Sequence, residues 1–379
     1  MAHDVLIIGG GLAGCGAALY LARRGADVLL LEKDTYPRHK LCGEFLSPES
    51  QHSLRAMGVL GDVTAAGAHP ITDARLTAPA TPPAEHALPG TALGLSRYRL
   101  DALLFEHAVA AGADGRTDTR VTDVSGRLDT GFVVETANGT AHEARVVLGA
   151  YGKRARLDRT LDRPFLAENT PYVAFKAHYA GASVPQTIEL HGFPGGYCGC
   201  SHVEDDRLNV CWIGHVDALK RAGGTPEAMI DAALQHNDAL ADRLHGLERV
   251  SDRFEAISQV SLADKTRFVD DVCMIGDTAS MIAPLCGDGM AMALRTADLV
   301  APLVTDVLDG TRSPSAFRAA YERRWSRTFA TRLRVGRWTH RAAFSRTATA
   351  MLVRLLRWIP PLGRLLIRTT RGTAHAPAA

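Results

Sequence analysis

The chain's strongest constraint on its own fold lies in its first 33 residues. Asp4-Val5-Leu6-Ile7-Ile8 is a short, β-branched apolar run, followed at once by Gly9-x-Gly11-x-x-Gly14. A run without polar alternation reads as a strand buried on both faces. An Ala/Leu-rich helical stretch then continues to about Arg24 and stops at Gly25, a residue suited to ending a helix. Ala26 to Leu31 is a second strand, ending on Glu32-Lys33. In this order the first glycine turns the chain and the second admits a pyrophosphate against the backbone. The third lets helix and strand pack closely. The helix N-terminus offers free N–H groups and the positive end of its dipole to the phosphates. Glu32 can accept both hydroxyls of an adenosine ribose and would repel a 2′-phosphate. The segment predicts a doubly wound, Rossmann-like α/β domain holding an adenine dinucleotide through Gly9, Gly11, Gly14, Glu32 and Lys33. By itself it fits NAD and FAD equally well.

Other apolar strands of the same character lie far away, at 145–149 and 272–276. All four runs read as members of one parallel sheet, so the segment between them is an insertion and not a tandem domain. That segment alternates like half-buried strands over Tyr172 to His178, Thr187 to Leu190 and Leu208 to Ile213, with a helix near Pro226 to His236. Between Ala65 and Leu95 the chain is rich in Pro, Ala, Gly and Thr and reads as short strands or loops. The expected division is a dinucleotide domain from 1–70, 95–162 and 265–310. A mainly-β substrate domain comes from 71–94 and 163–264, and a helical, Arg-rich segment from 311–379.

The far end of the chain decides between the two cofactors. Cys273-Met274-Ile275-Gly276-Asp277-Thr278-Ala279, then Pro284-Leu285-Cys286-Gly287-Asp288-Gly289-Met290, resembles the second flavin motif of aromatic-hydroxylase-type (group A) flavin monooxygenases. The resemblance implies FAD, with Asp277 on the ribityl chain. It also implies that the Gly287–Met290 helix start lies beside the isoalloxazine, where it steadies negative charge. Arg97-Tyr98-Arg99-Leu100-Asp101 is similar to that family's R-x-x-[FL]-D stretch, and Arg97 is carried over as a phosphate or ring contact. Gly276, Gly287, Gly289, Met290 and Val121 complete the implied FAD set, with Arg38 and Lys40 from the segment described next.

Tyr36-Pro37-Arg38-His39-Lys40-Leu41-Cys42-Gly43-Glu44-Phe45-Leu46-Ser47 resembles the P-R-x-K-x-C-G-x-x-L-S stretch of the geranylgeranyl-reductase-like branch. Phe193-Pro194-Gly195-Gly196-Tyr197-Cys198 is similar to the same branch, within its substrate domain. Cys42, Glu44 and Tyr197 are the candidate catalytic residues. Cys42 stands near two cations that can lower a thiol's pKa, or is a small residue at a tight turn. Glu44 is a proton donor or a solvated loop acid. Tyr197 and Trp212 are pocket walls or core. The family's G-A-D-G segment appears here as Gly149-Ala150-Tyr151-Gly152-Lys153-Arg154, without its acid and with two cations. Electrons, with NAD(P)H as the implied donor, then arrive by a different arrangement. Flavin halogenases share the scaffold, but their W-x-W-x-I-P string is absent. The nearest string, Arg357-Trp358-Ile359-Pro360, lies in the tail. Cys198-x-Cys200 has no second pair nearby to make a metal site.

Composition adds bounds. At 379 residues, 46% apolar and 22% charged, the chain suits a globular protein of two domains, or one with a second woven in. Its seven scattered cysteines, and a first strand that begins almost at Met1, point to reduced thiols in the cytoplasm. The net charge of +2 hides an asymmetry, since residues 323–379 contain thirteen Arg and no Lys, Asp or Glu. In that tail Leu352-Val353, Leu355-Leu356 and Trp358-Ile359 would share a helix face opposite Arg354 and Arg357. Such a helix either packs its apolar side on the domain or lies on an anionic membrane surface. No nucleic-acid recognition motif accompanies the charge.

The resemblance implies an FAD-dependent monooxygenase that hydroxylates or epoxidises a lipophilic secondary metabolite, an alkyl phenol or polyketide, through a flavin hydroperoxide. The alternative, supported by Cys42-Gly43-Glu44, is a reductase of isoprenoid C=C bonds. A flavin carrier without enzymatic activity would need neither the inserted domain nor a pocket beside the flavin.

Overall fold

The computed structural model describes residues 2–370. The final nine residues of the Arg-rich segment, Arg371 included, lie outside the described residues.

Two sheets organise the molecule. The first holds β1 (His3–Ile8), β2 (Val28–Leu31), β6 (Asp114–Arg116), β7 (Val121–Arg127), β8 (Gly131–Thr136), β9 (Ala141–Gly149), β16 (Phe268–Val269) and β17 (Val272–Met274). The second holds β3 (Phe45–Leu46), β4 (His69–Ala78), β5 (Thr81–Gly94), β10 (Tyr172–Ala180), β11 (Thr187–Phe193) and β12 (Gly196–His202). It is completed by β13 (Leu208–His215), β14 (Glu248–Arg249) and β15 (Glu255–Ser258). The helices are α1 (Leu12–Ala22), α2 (Ser50–Ala56), α3 (Leu60–Ala65), α4 (Arg97–Ala110), α5 (Leu157–Thr160) and α6 (Val216–Ala222). After these come α7 (Pro226–Leu234), α8 (Asp238–Leu244), α9 (Gly289–Leu308), α10 (Pro314–Ala343), α11 (Arg346–Trp358) and α12 (Pro360–Thr369). No helix among the described residues is long and apolar enough to cross a membrane.

In the first sheet the order is β16-β17-β9-β1-β2-β6, and β17, β9, β1, β2 and β6 run parallel. The four apolar runs read from the sequence therefore do join one parallel sheet, packed by a helical layer in which α1 lies between α4 and α9. Helix α1 is buried on nearly every side, which explains a sequence with no polar face at all. The β7–β8 hairpin is added antiparallel to the first half of β9.

The second sheet differs from expectation in its first part. Residues 69–94 are not short strands but a long antiparallel pair with two register shifts. Prolines 82, 83 and 89 are tolerated because β5 is an outer strand. It pairs with β4 on one side and meets the two-residue β3 only at its far end. Its remaining face is covered by helices, with Ala78 and Ala84 packing against Val353 and Leu356 of α11. Along β10 to β13, residues alternate between the face that carries α6 to α8 and the face turned to the first sheet. Trp212 belongs to the former, tilted against Phe175 and edge-on to Phe254 in the core.

Candidate functional site

At the dinucleotide corner each glycine has a steric cause. A Cβ on Gly14 would collide with the Gly9 carbonyl oxygen. One on Gly9, which adopts φ +107°, would lie 2.6 Å from the Ala150 oxygen. Glu32 is buried; its Oε2 accepts from the Gly10 N–H at 2.8 Å and faces Arg38 Nη2 at 3.0 Å. Tyr36 closes the outer side, its hydroxyl donating to the Gly10 carbonyl and its ring stacked on Phe105. Lys33 is exposed beside Asp34.

Over Gly11 the structure sets two cations. A Cβ there would stand 3.6 Å from Lys40 Nζ and 3.7 Å from Arg97 Nη2. Arg97 is anchored to buried Asp101 at 2.5 and 2.8 Å, whereas Lys40 pairs with no described carboxylate. Burial and the neighbouring Arg97 push the Lys40 ammonium down to about 8. A half-buried cation short of a counter-charge, facing a bare glycine at a helix N-terminus, is what a pyrophosphate would satisfy. On this ground the residues fit FAD.

The second flavin motif meets the first directly. Gly276, at φ +58°, packs where a Cβ would come within 2.8 Å of Ala13 in the first turn of α1. Asp277 lines the shared cavity and its carbonyl accepts from Lys265 Nζ at 2.9 Å. Thr278 ties this motif to the Gly149–Arg154 segment, accepting from the Gly152 N–H at 2.8 Å. Gly287, at φ +63°, lies against the Phe45 ring, and Gly289 and Met290 open α9. The residue at the helix cap is Asp288, fully buried. It takes a hydrogen bond from Ser47 at 2.9 Å and an ion pair from Arg332 at 2.8 Å. Burial and nearby Glu49, which shares Arg332 at 2.6 Å, raise the Asp288 carboxyl to about 8. One cation between a buried and a half-buried acid leaves room for a proton.

The Cys-Gly-Glu segment is fastened to the second sheet. Asn209 Nδ2 donates to the Cys42 carbonyl at 3.3 Å and Ser201 Oγ to that of Gly43 at 3.0 Å. Glu44 has left-handed backbone geometry (φ 53°), a conformation that costs a non-glycine residue about 1–3 kcal/mol. Its side chain, fully buried, receives Lys176 Nζ, His178 Nε2 at 2.6 Å and the Arg97 N–H at 2.8 Å. Burial alone would raise its pKa, but Lys176 and His178 outweigh that and hold it at about 2. It is buried where a solvated loop acid would be exposed, and the three donors that converge on it tie the Cys42 segment to the second sheet. Cys42 lines the cavity beside Arg97, with its Sγ accepting from the Glu44 N–H at 3.4 Å.

A continuous cavity of about 280 Å³ runs between the sheets. It brings together Gly11, Lys40, Cys42, Glu44, Arg97, Tyr197, Gly276, Asp277, Gly287, Gly289 and Met290. Gly9, Gly14, Glu32 and Arg38 support it from behind, while Lys33 and Val121 lie outside its wall. Tyr197 stands between the second sheet and the flavin-motif loop at 284–289, next to the Leu285 backbone. Its buried hydroxyl makes no well-aligned hydrogen bond. Away from the loop the wall turns apolar, through Leu76, Ile188 and Leu190 to Leu352, Leu366 and Ile367 of α11 and α12.

Three features of the site escape a reading of the sequence. Arg332 sits in the basic tail 44 positions after the Asp288 it binds. Lys176 and His178 look like ordinary strand residues. The closing of the cavity by α11 and α12 carries no motif. Gly336 was a readable signal, a glycine inside an Arg-studded helix. A Cβ there would come within 3.2 Å of Cys286 Sγ in the flavin loop. The Cys198 and Cys200 thiols are 3.9 Å apart and buried in the core behind the sheet.

Comparison with known proteins agrees with this geometry. A family model described as an FAD binding domain matches residues 2–333. The chain is 29% identical over 322 residues to a menaquinone reductase of Mycolicibacterium smegmatis, covering 80% of this chain and 76% of the relative. It is 25% identical over 317 residues to a ubiquinone hydroxylase of Rhodospirillum rubrum, covering 79% and 71%. The flavin-dependent brominase Bmp2 superposes with a TM-score of 0.81 at 20% identity, covering 98% of this chain and 93% of its own, a likeness of fold. Two flavin motifs meeting at one cavity, and a family match over nearly the whole chain, make this protein a member of the FAD-binding family of aromatic-hydroxylase-type flavoproteins, and an oxidoreductase.

Proposed function

We propose that this protein is an FAD-dependent monooxygenase acting on a phenol or quinone-like ring that carries a long lipophilic tail. The observation that carries this reading is Tyr197. Its hydroxyl lies buried beside the Leu285 backbone, with no well-aligned partner among the described residues, and the residue lines the cavity. An unpaired buried hydroxyl costs about 1–3 kcal/mol, which a ring oxygen of the substrate would recover. The apolar half of the cavity, from Leu76 to Ile367, suits a hydrocarbon tail. When bound, FAD supplies electron transfer and oxygen activation. The protein's own residues orient the ring through Tyr197, exclude water, and present the Gly289 helix start to negative charge. The overall balance takes two electrons from a reduced nicotinamide; one oxygen atom enters the substrate and the other leaves as water. Among the relatives, one is named a ubiquinone hydroxylase.

The second reading, reduction of a C=C bond, is favoured by Cys42, which places a thiol in the same cavity wall; another relative is named a menaquinone reductase. The two separate in one experiment. The holoprotein is mixed anaerobically with NADH or NADPH and a long-chain alkylresorcinol or menaquinone, then exposed to ¹⁸O₂. Rapid flavin bleaching and one ¹⁸O atom per product molecule support the monooxygenase. No incorporated oxygen, with a product two hydrogens heavier and turnover only under a low-potential reductant, would overturn it in favour of the reductase. In the first case Tyr197→Phe should raise KM and lower kcat.

A further inference from the structure

The α11–α12 hairpin has two working sides. Its inner side packs on β5 through Val353 and Leu356, both almost fully buried, and walls the cavity through Leu352, Leu366 and Ile367. The sequence pattern predicted that all its apolar pairs would share one face, and they do not. Met351, Leu355 and Trp358, spaced i, i+4, i+7, are 69%, 41% and 80% exposed, and Leu365 on α12 is 57% exposed. Large side chains left in water along one stripe are uncommon on a self-sufficient surface. Arg354, Arg357, Arg364 and Arg368 flank that stripe, and none of them forms an ion pair with a described carboxylate. From residue 323 to the end of the chain there is no acidic residue to neutralise them.

We propose that this hairpin docks the protein on an anionic lipid bilayer, with both helices lying in the headgroup plane. Trp358, Leu355 and Met351 would enter the acyl boundary, and the arginines would meet lipid phosphates. Charge complementarity selects this occupant. A second copy of the chain would set the same arginines against themselves, which like charges oppose. Continuity with the cavity gives the docking a use, because the helices that touch the bilayer also wall the cavity's apolar end. A lipophilic substrate then passes from membrane to cavity without crossing water. The substrate part of this statement rests on the function proposed above; the docking itself does not.

The test uses the full-length holoprotein and vesicles of phosphatidylcholine, with and without phosphatidylglycerol, in a flotation assay that needs no turnover. Docking predicts flotation with phosphatidylglycerol at low salt, a loss at high salt, and a blue shift of tryptophan emission that vanishes in Trp358→Phe. Arg354→Gln with Arg364→Gln should lower partitioning about 25-fold, roughly five-fold for each charge near the surface. Met351→Ser with Leu355→Ser, which leaves the charges in place, should lower it by about a hundred-fold or more. Retained FAD absorbance and an unchanged Tm show that each variant folds. Equal binding to both vesicles, or binding that neither variant weakens, overturns the proposal. So does a concentration-dependent dimer that Trp358→Ser abolishes. Since no substrate is present, a failure here leaves the redox assignment standing, and a failed oxygen assay leaves docking standing.

Discussion

Glu44 combines a strained backbone with a fully buried charge, and both are sustained by what it holds. Lys176, His178 and the Arg97 amide converge on its two oxygens, so the residue joins the Cys42 segment, the substrate sheet and the phosphate corner. Glu44→Gln should cost about 3–5 kcal/mol in chemical denaturation, because it strands a buried ammonium. A proton donor at an exposed loop would instead change rate alone. The pH signature follows from a depressed carboxyl. Its contribution to stability is present above the unfolded value of 4.5 and is lost as pH falls through about 2. The Gln variant should lose that part of the acid dependence. Asp288 gives the opposite sign. Its carboxyl is raised to about 8, so the stability it contributes is complete below 3.8 and is lost as pH rises through about 8. Asp288→Asn keeps the Ser47 contact without that loss. Its Tm should gain on the wild type as pH passes about 8, and an unchanged difference across that range would refute the assignment.

Helix α11 lies against β5 through only two deeply buried apolar side chains, Val353 and Leu356. Placing Asp at both cannot be accommodated against Ala78 and Ala84, because an unpaired buried charge is too costly. The helix should detach while the first sheet stays folded. Trypsin would then cut at Arg346, Arg354 and Arg357 in the double variant and not in the wild type, with flavin still bound. The same region shows where sequence patterns lose their force. The dinucleotide corner was legible because its glycines, Glu32 and flanking strands serve local contacts, such as Gly14 against the Gly9 carbonyl. The strand pair at 69–94 was not, because its prolines disguised a period that an outer strand covered by helices tolerates. In α11 the period was visible, but not which apolar residues faced inward, since that depends on β5. Arg332 and Lys176 were illegible for a similar reason. Their partners lie 44 and 132 positions away, and only the packed fold brings them together.

At the scale of the whole molecule, the cavity joins two unlike ends. The polar end lies where the two flavin motifs and Tyr197 meet; the apolar end lies where the substrate sheet meets the tail helices. Each sheet supplies one wall, so neither would form the site by itself. On the function proposed above, this geometry makes affinity depend on substrate length in a defined way. Every methylene that leaves water for the apolar half contributes about 0.8 kcal/mol, so KM should fall about four-fold per added carbon. The gain should stop when the tail reaches Leu366 and Ile367, because further carbons find no wall to bury against. In a homologous series of alkylresorcinols, log KM plotted against chain length should fall linearly and then flatten. Leu190→Trp, which fills the middle of the apolar wall, should move the break to a shorter chain while leaving kcat for short substrates unchanged. A KM indifferent to chain length would place the tail outside the cavity and refute this route through the molecule.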